Sequence, residues 1–311
     1  MMFLYSCSVC VIRDQIWCKF RQIFIRDYVI LRKFYTEIMT LNCRGTLVDL
    51  TIPKIMGILN LTPDSFYDGG RFDSWDAALK QTQKMLEEGA TIIDVGAVSS
   101  RPGATALNTE EESKRLFPLL SELLRVFPET LFSVDTFDSQ IAHKALDQGV
   151  ALINDISGGA SDAAILEIVA QYDAPYVCMH MQGSPQNMQD QPEYQSVVEE
   201  QLLYFSQKKE QLYKAGIQDV IIDPGFGFGK NKDHNYQILK NLKHYHRLKS
   251  PLMVGISRKS MIYKTLNIPP EEALNGTTSL HTVALQHGAH ILRVHDVKEA
   301  VQVVELLQAL N

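Results

Sequence analysis

The chain has 311 residues, 45% hydrophobic and 21% charged, with a net charge of −6. A large core is within reach, and the acidic balance excludes a broad nucleic-acid surface while leaving room for a local cationic pocket. Of its five cysteines, Cys7, Cys10 and Cys18 crowd the N-terminus, with Cys43 and Cys178 beyond; this is no secreted disulfide framework and fits a reducing cytoplasm.

Residues 1–38 differ from the rest. Six basic residues (Arg13, Lys19, Arg21, Arg26, Arg32, Lys33) stand against Asp14, Asp27 and Glu37, a net of +3 that leaves −9 for the remainder. Arg13 and Asp14 break the apolar start and no small-residue cleavage site follows, so a secretory signal is not expected. Cys7 and Cys10 form a CxxC without a second pair or a strand–helix context, which argues against zinc or redox chemistry. The segment is read as an extension outside the folded domain, or as sequence upstream of a start at Met39, and residues 39–311 as the domain.

From residue 54 short Val- and Ile-rich runs alternate with amphipathic stretches. The runs are 54–60, 91–98, 131–136, 151–157, 175–181, 219–225, 251–257 and 290–296. Continuous apolar runs suit strands buried on both faces of a parallel sheet. Between them, residues 74–88 place Trp75, Ala78, Leu79, Thr82, Met85 and Leu86 on one helical face. Thr109 followed by Glu112 reads as a capping box. Gly89, Gly149, Gly216 and Gly288 mark helix ends just before strands. Eight strand–helix units without a linker predict a single (β/α)₈ barrel of the α/β class. An open doubly wound sheet is the alternative, but MGILNLTPDSF after the first strand carries no dinucleotide fingerprint.

Each predicted strand ends in polar groups that packing alone does not call for: Asn60, Asp94, Asp135, Asn154 with Asp155, His180, Asp223, Ser257, and Arg293 with His295. A barrel gathers these ends into one ring, where barrel active sites lie. Asp94, Asp135, Asn154 and Asp223 offer acceptors suited to a flat heterocycle with N–H and NH₂ donors. Ser257, Arg258, Lys259 and Ser260 on the seventh strand, with Arg293 and His295 on the eighth, imply a phosphate or pyrophosphate. Asn60 is placed to reach a Mg²⁺ held by that anion. Residues 225–230, GFGFGK, are not GxxxxGK[ST] and are not read as a phosphate loop. Histidines 143, 234, 244, 246, 281, 287 and 290 show no metal-ligand spacing and are assigned surface or packing roles.

Residues 56–66 (MGILNLTPDSF), 99–104 (SSRPGA), 133–136 (SVDT), 154–156 (NDI), 179–183 (MHMQG), 223–230 (DPGFGFGK), 257–260 (SRKS) and 293–296 (RVHD) follow one another in an order that resembles the dihydropteroate synthases. The likeness runs from about residue 45 to the C-terminus. It implies condensation of 4-aminobenzoate with 6-hydroxymethyl-7,8-dihydropterin pyrophosphate, release of pyrophosphate, a Mg²⁺ cofactor, a cytoplasmic homodimer and a sulfonamide target. By the same resemblance Asp94, Asp135, Asn154, Asp223 and Lys259 hold the pterin. Asn60 ligates Mg²⁺. Ser100, Arg293 and His295 take the pyrophosphate, and Arg101, Pro102, Phe228, Ser257 and Lys259 border the aminobenzoate. Lys259, Arg293, His295 and Arg101 are the catalytic set. Loops at about 61–71 and 97–108 are expected to close over the substrates. The family usually has Thr where Ser100 stands and Glu where Val98 stands, so no role passes to Val98. The alternatives are a methyltetrahydrofolate-binding methyltransferase and a non-catalytic pterin-binding module.

Overall fold

The computed structural model describes residues 39–61, 70–97, 108–183, 188 and 192–310, with the side chains of 70–74 left aside. The extension 1–38 and most of the two expected closing loops, with Val98, Ser100, Arg101 and Pro102, lie outside the described residues.

A hairpin of β1 (Thr40–Cys43) and β2 (Thr46–Asp49) comes first. Eight parallel strands follow: β3 (Lys54–Asn60), β4 (Ile92–Gly96), β5 (Leu131–Asp135), β6 (Leu152–Asp155), β7 (Tyr176–Met179), β8 (Val220–Asp223), β9 (Met253–Val254) and β10 (Ile291–Val294). They pair in the order β8-β7-β6-β5-β4-β3-β10-β9. A parallel bridge between Ile222 and Leu252 joins the two ends of that order, with Ile222 N–H donating to the Pro251 carbonyl at 2.8 Å. This closes the (β/α)₈ barrel, and the expected fold and all eight expected strands are borne out. The surrounding helices are α1 (Gly70–Glu87), α2 (Thr109–Val126), α3 (Ser139–Asp147), α4 (Ala164–Gln171), α5 (Val197–Lys214), α6 (Lys232–Lys240), α7 (Ser260–Leu266), α8 (Leu274–Gln286) and α9 (Val297–Gln308).

Two apolar layers follow from the two-residue period of the strands. Outward residues, among them Ile55, Ile93, Phe132, Ile153, Cys178, Ile222, Val254 and Leu292, pack against the helices. Met56, Ile92, Leu152, Val177, Ile221, Met253 and Ile291 point the other way and pave the barrel's lower interior. The hairpin stoppers that floor from below with Leu41, Cys43, Val48 and Leu50. It is pinned where Asn42 N–H donates to Asp219 Oδ2 and Arg44 Nη1 to the Gly149 carbonyl. One step of two residues above the floor, the interior positions become Asp94, Asn154, Asp223 and Arg293. The same alternation that buries the floor therefore aims these polar groups into the upper half.

Gly89, Gly149, Gly216 and Gly288 all take positive φ between helix and strand, as expected. The capping box at Thr109 is corrected by one residue. Asn108 is the N-cap, its side chain accepting from Glu111 N–H, while Thr109 Oγ1 donates to Asp138 Oδ2. Glu112 turns inward instead of back to the cap and is buried. Asp138 in turn caps α3 through Gln140 and Ile141 N–H.

Candidate active site

The ring at the C-terminal ends of the strands is built in two tiers. In the lower tier Asp94 of β4 is fully buried. Its Oδ2 accepts from Arg293 Nε at 2.6 Å and from Asn154 Nδ2 at 2.9 Å. Its Oδ1 and the Oγ of Ser133, the residue paired with it on β5, have no hydrogen-bond partner among the described residues. Arg293 Nη2 continues to Asp135 Oδ2 at 2.8 Å. One guanidinium from β10 thus reaches past β3 to bind carboxylates of both β4 and β5. Burial works against the Arg293 charge, but Asp94 and Asp135 more than offset it and raise its pKa. Burial pushes the Asp135 carboxyl above the usual range, with Arg293 opposing. Such an array is stable only because each charge has a partner.

Across the barrel Asp223 is buried, and its Oδ1 accepts from Gly225 N–H at 2.7 Å. Burial raises its pKa, and Lys259 is the largest opposing influence. Lys259 donates from Nζ to the Phe226 carbonyl and lies 4.6 Å over the Phe228 ring. Burial lowers its ammonium to about 8, Asp223 resisting. In the upper tier Asn60 is exposed at the end of β3. A Cβ on Gly96 would fall 3.6 Å from Asn60 Oδ1 and 3.5 Å from Asp135 Cβ, so glycine keeps the gap between them open. His295 N–H donates to Ser257 Oγ at 3.2 Å, and its Nδ1 lies 3.1 Å from the same oxygen. Burial and Arg293 lower the His295 pKa to about 4. The ring therefore favours its neutral form near pH 7.

The structure therefore brings Asn60, Asp94, Asp135, Asn154, Asp223, Phe228, Ser257, Lys259, Arg293 and His295 to one ring. It sets Arg293 among the acceptors of the lower tier. Asp155 and His180, also at strand ends, do other work. Asp155 accepts from Ser157 and Gly159 N–H and from Tyr176 Oη, holding the turn after β6. His180 is buried beside Tyr204 and Phe205, with Nδ1 3.1 Å from Gln201 Nε2.

The GFGFGK segment is a brace. Lys230 is buried and donates to the carbonyls of His180 at 2.9 Å and Phe228 at 2.8 Å. A Cβ on Gly225, at φ +68°, would fall 2.2 Å from the His180 carbonyl oxygen, so only glycine fits. Sequence reasoning missed Ser133, whose signal was a hydroxyl at an interior position of an apolar strand. It also left Lys230 and Gln201 unassigned; the His180 carbonyl that holds Lys230 and the partners of Gln201 are distant in the chain.

Among the described residues no group of three or more His, Cys, Asp or Glu side chains is arranged to hold a metal. Asn60 with its open neighbour Gly96 fits a cation that takes most of its oxygens from a bound anion.

Residues 56–295 match the model of the pterin binding enzyme family. The chain is 44% identical over 273 residues to the dihydropteroate synthase of Escherichia coli K12, covering 87% of this chain and 96% of that one. A Yersinia pestis dihydropteroate synthase in complex with a sulfonamide drug superposes with a TM-score of 0.82 at 42% identity, over 88% of this chain and 99% of that one. A Xanthomonas albilineans dihydropteroate synthase bound to 7,8-dihydropteroate gives 0.78 at 34% identity, over 88% and 98%. With the motifs in order and the ring assembled, the chain belongs to the dihydropteroate synthases of the pterin-binding enzyme family.

Proposed function

We propose that the protein joins 4-aminobenzoate to 6-hydroxymethyl-7,8-dihydropterin pyrophosphate, giving 7,8-dihydropteroate and pyrophosphate. The observation that carries this reading is the buried acceptor wall of Asp94, Asp135, Asn154 and Asp223 within one ring with Lys259, Arg293 and His295. The free Oδ1 of Asp94 and the partly used Asp223 match the N–H and NH₂ edge of a pterin, since a carboxylate accepts from two donors.

The step breaks the C–O bond between the pterin methylene and pyrophosphate, and the electron pair leaves with the pyrophosphate. The pterin ring delocalises the positive charge left behind. The aniline nitrogen then forms the C–N bond and loses its proton to water or phosphate oxygen. Lys259, Arg293 and His295 stabilise the charge that gathers on the leaving group. Arg293 would release Asp94 and Asp135 to accept from the donors of the incoming pterin as it turns to the anion. Ser100, Arg101 and Pro102 enter on the family resemblance alone, Ser100 to the pyrophosphate and the other two at the aminobenzoate. The weak nucleophile needs placement and exclusion of water more than a strong base.

Mg²⁺ belongs to the proposal, with Asn60 as its protein ligand; once bound it would neutralise charge on the pyrophosphate. So do a homodimer and a cytoplasmic location, supported by the family resemblance and by the buried free thiols of Cys43 and Cys178. Sedimentation velocity tests the dimer by looking for a species of twice the chain mass. No helix of the described residues is long and apolar enough to cross a membrane. The reaction is tested by following pyrophosphate release. Release that requires both substrates supports the proposal, and none with both present contradicts it.

A further inference from the structure

Ser257, Arg258 and Lys259 are consecutive, yet only the outer two turn into the ring. Arg258 takes φ +52°, the left-handed region, which reverses the direction of its side chain relative to its neighbours. Its N–H donates to Thr277 Oγ1 of α8 at 3.1 Å. Its guanidinium is engaged on every side. Nε and Nη2 donate to the two oxygens of Asp296, each at 2.8 Å, and Nη1 donates to the carbonyls of Glu271 at 2.6 Å and Pro270 at 3.3 Å. Asp296 directly follows His295. The Ser257–His295 contact and the Arg258–Asp296 fork are therefore successive rungs between the ends of β9 and β10.

From the sequence, Arg258 belongs with the cations awaiting an anion. We propose instead that Arg258 is a positioning residue: forked onto Asp296, it locks the β9 and β10 ends together and fixes Lys259 and His295 in the ring. The inference rests on the reaction proposed above. A planar guanidinium satisfies two carboxylate oxygens and two carbonyls at once, and a lysine at this site has one nitrogen for all four. The side chain is about a quarter exposed, so its value lies in geometry more than in stability.

The test compares wild type with Arg258→Gln, Arg258→Lys, Asp296→Asn and the Arg258→Gln/Asp296→Asn double variant. Melting temperature, kcat/KM for the pterin pyrophosphate and calorimetric binding of inorganic pyrophosphate are measured for each. The single variants should lose kcat/KM by a similar factor, about tenfold to a hundredfold, because small misplacements at a reacting centre cost that much. The double variant should fall no further, and lysine should not rescue. Near-normal activity in Asp296→Asn with loss in Arg258→Gln would overturn the proposal in favour of a direct anion contact. Losses that multiply in the double variant would overturn it too, as would a lower melting temperature with unchanged kcat/KM of the folded protein. If wild type does not turn over, the reaction fails, and the pyrophosphate titrations still decide the positioning claim: equal weakening in all variants sustains it, and wild-type affinity in Asp296→Asn rejects it.

Discussion

Arg293 Nε lies 2.6 Å from Asp94 Oδ2, a contact made past β3 from β10 to β4. The same guanidinium holds Asp135, so one cation balances two buried carboxylates. Arg293→Ala would leave both without a counter-charge, at a cost of about 3–5 kcal/mol near pH 7. Unpaired, Asp135, whose carboxyl burial already pushes upward, holds a proton in the folded state that the unfolded chain releases, so the variant loses stability as pH rises. Urea unfolding at pH 5 and pH 7 checks this: the gap to wild type should be smaller at pH 5. An equal gap at both would show that the carboxylates are not what Arg293 stabilises.

Lys259 titrates near 8 because burial disfavours its charge. The charged form is the better donor to substrate, so kcat/KM should fall as pH rises through about 8. Lys259→Ala should lower kcat/KM at pH 7 by about 10- to 150-fold, the value of about 1.5–3 kcal/mol for a hydrogen bond to a charged group. It should also lack the alkaline limb. A limb that persists unchanged in the variant belongs to another group.

Glu112 is buried at the first turn of α2, and its Oε1 has no partner among the described residues. Burial raises its pKa from 4.5 to about 7, against the hydrogen bond of Thr136. Between those values the folded state keeps a proton that the unfolded chain has lost. Stability therefore falls as pH rises from about 4.5 to 7, by on the order of 2 kcal/mol. Glu112→Gln carries no charge at any pH and should remove that slope, making the variant more stable than wild type at pH 8 and similar at pH 4.5. A constant difference across the range would contradict the assignment.

The part of the molecule legible in the sequence is the part governed by period. Eight apolar runs gave eight strands, and the polar residues at the ends of all but β7, whose His180 packs elsewhere, gave the ring from Asn60 to His295. What escaped depends on partners far apart in the chain. The hairpin of 40–49 turns through Arg44 and Gly45, both at positive φ, where the common signal for such a turn is Asn-Gly. Its Leu41 and Val48 read as isolated apolar residues until the barrel floor is there to receive them. Thr109 carried the local mark of an N-cap, but Asp138 of the next unit takes its hydroxyl and leaves the cap to Asn108. The fork of Arg258 onto Asp296 spans 38 residues and has no local signature.

Mg²⁺ should tighten pyrophosphate binding, since Asn60 alone is too small a ligand set for a hard cation. Calorimetry of pyrophosphate with Mg²⁺ and with a chelator should differ by more than about fivefold, the lower end of ordinary coupling. The difference should shrink in Asn60→Ala. Equal affinity in both titrations, or an unchanged difference in Asn60→Ala, would remove Asn60 from the metal site.

The proposed role of the ring of Asp94, Asp135, Asn154 and Asp223 is to present a pterin to an aryl amine. It is tested most directly by the mass of the product formed from 6-hydroxymethyl-7,8-dihydropterin pyrophosphate and 4-aminobenzoate, in wild type and in Asp223→Ala. Wild type should give a compound with the mass of 7,8-dihydropteroate, and one pyrophosphate for each. Asp223→Ala, folded by circular dichroism, should form it at least about tenfold more slowly at limiting pterin, because a buried acceptor for the ring is gone. No such product from wild type, or equal rates from the two proteins, would contradict the account.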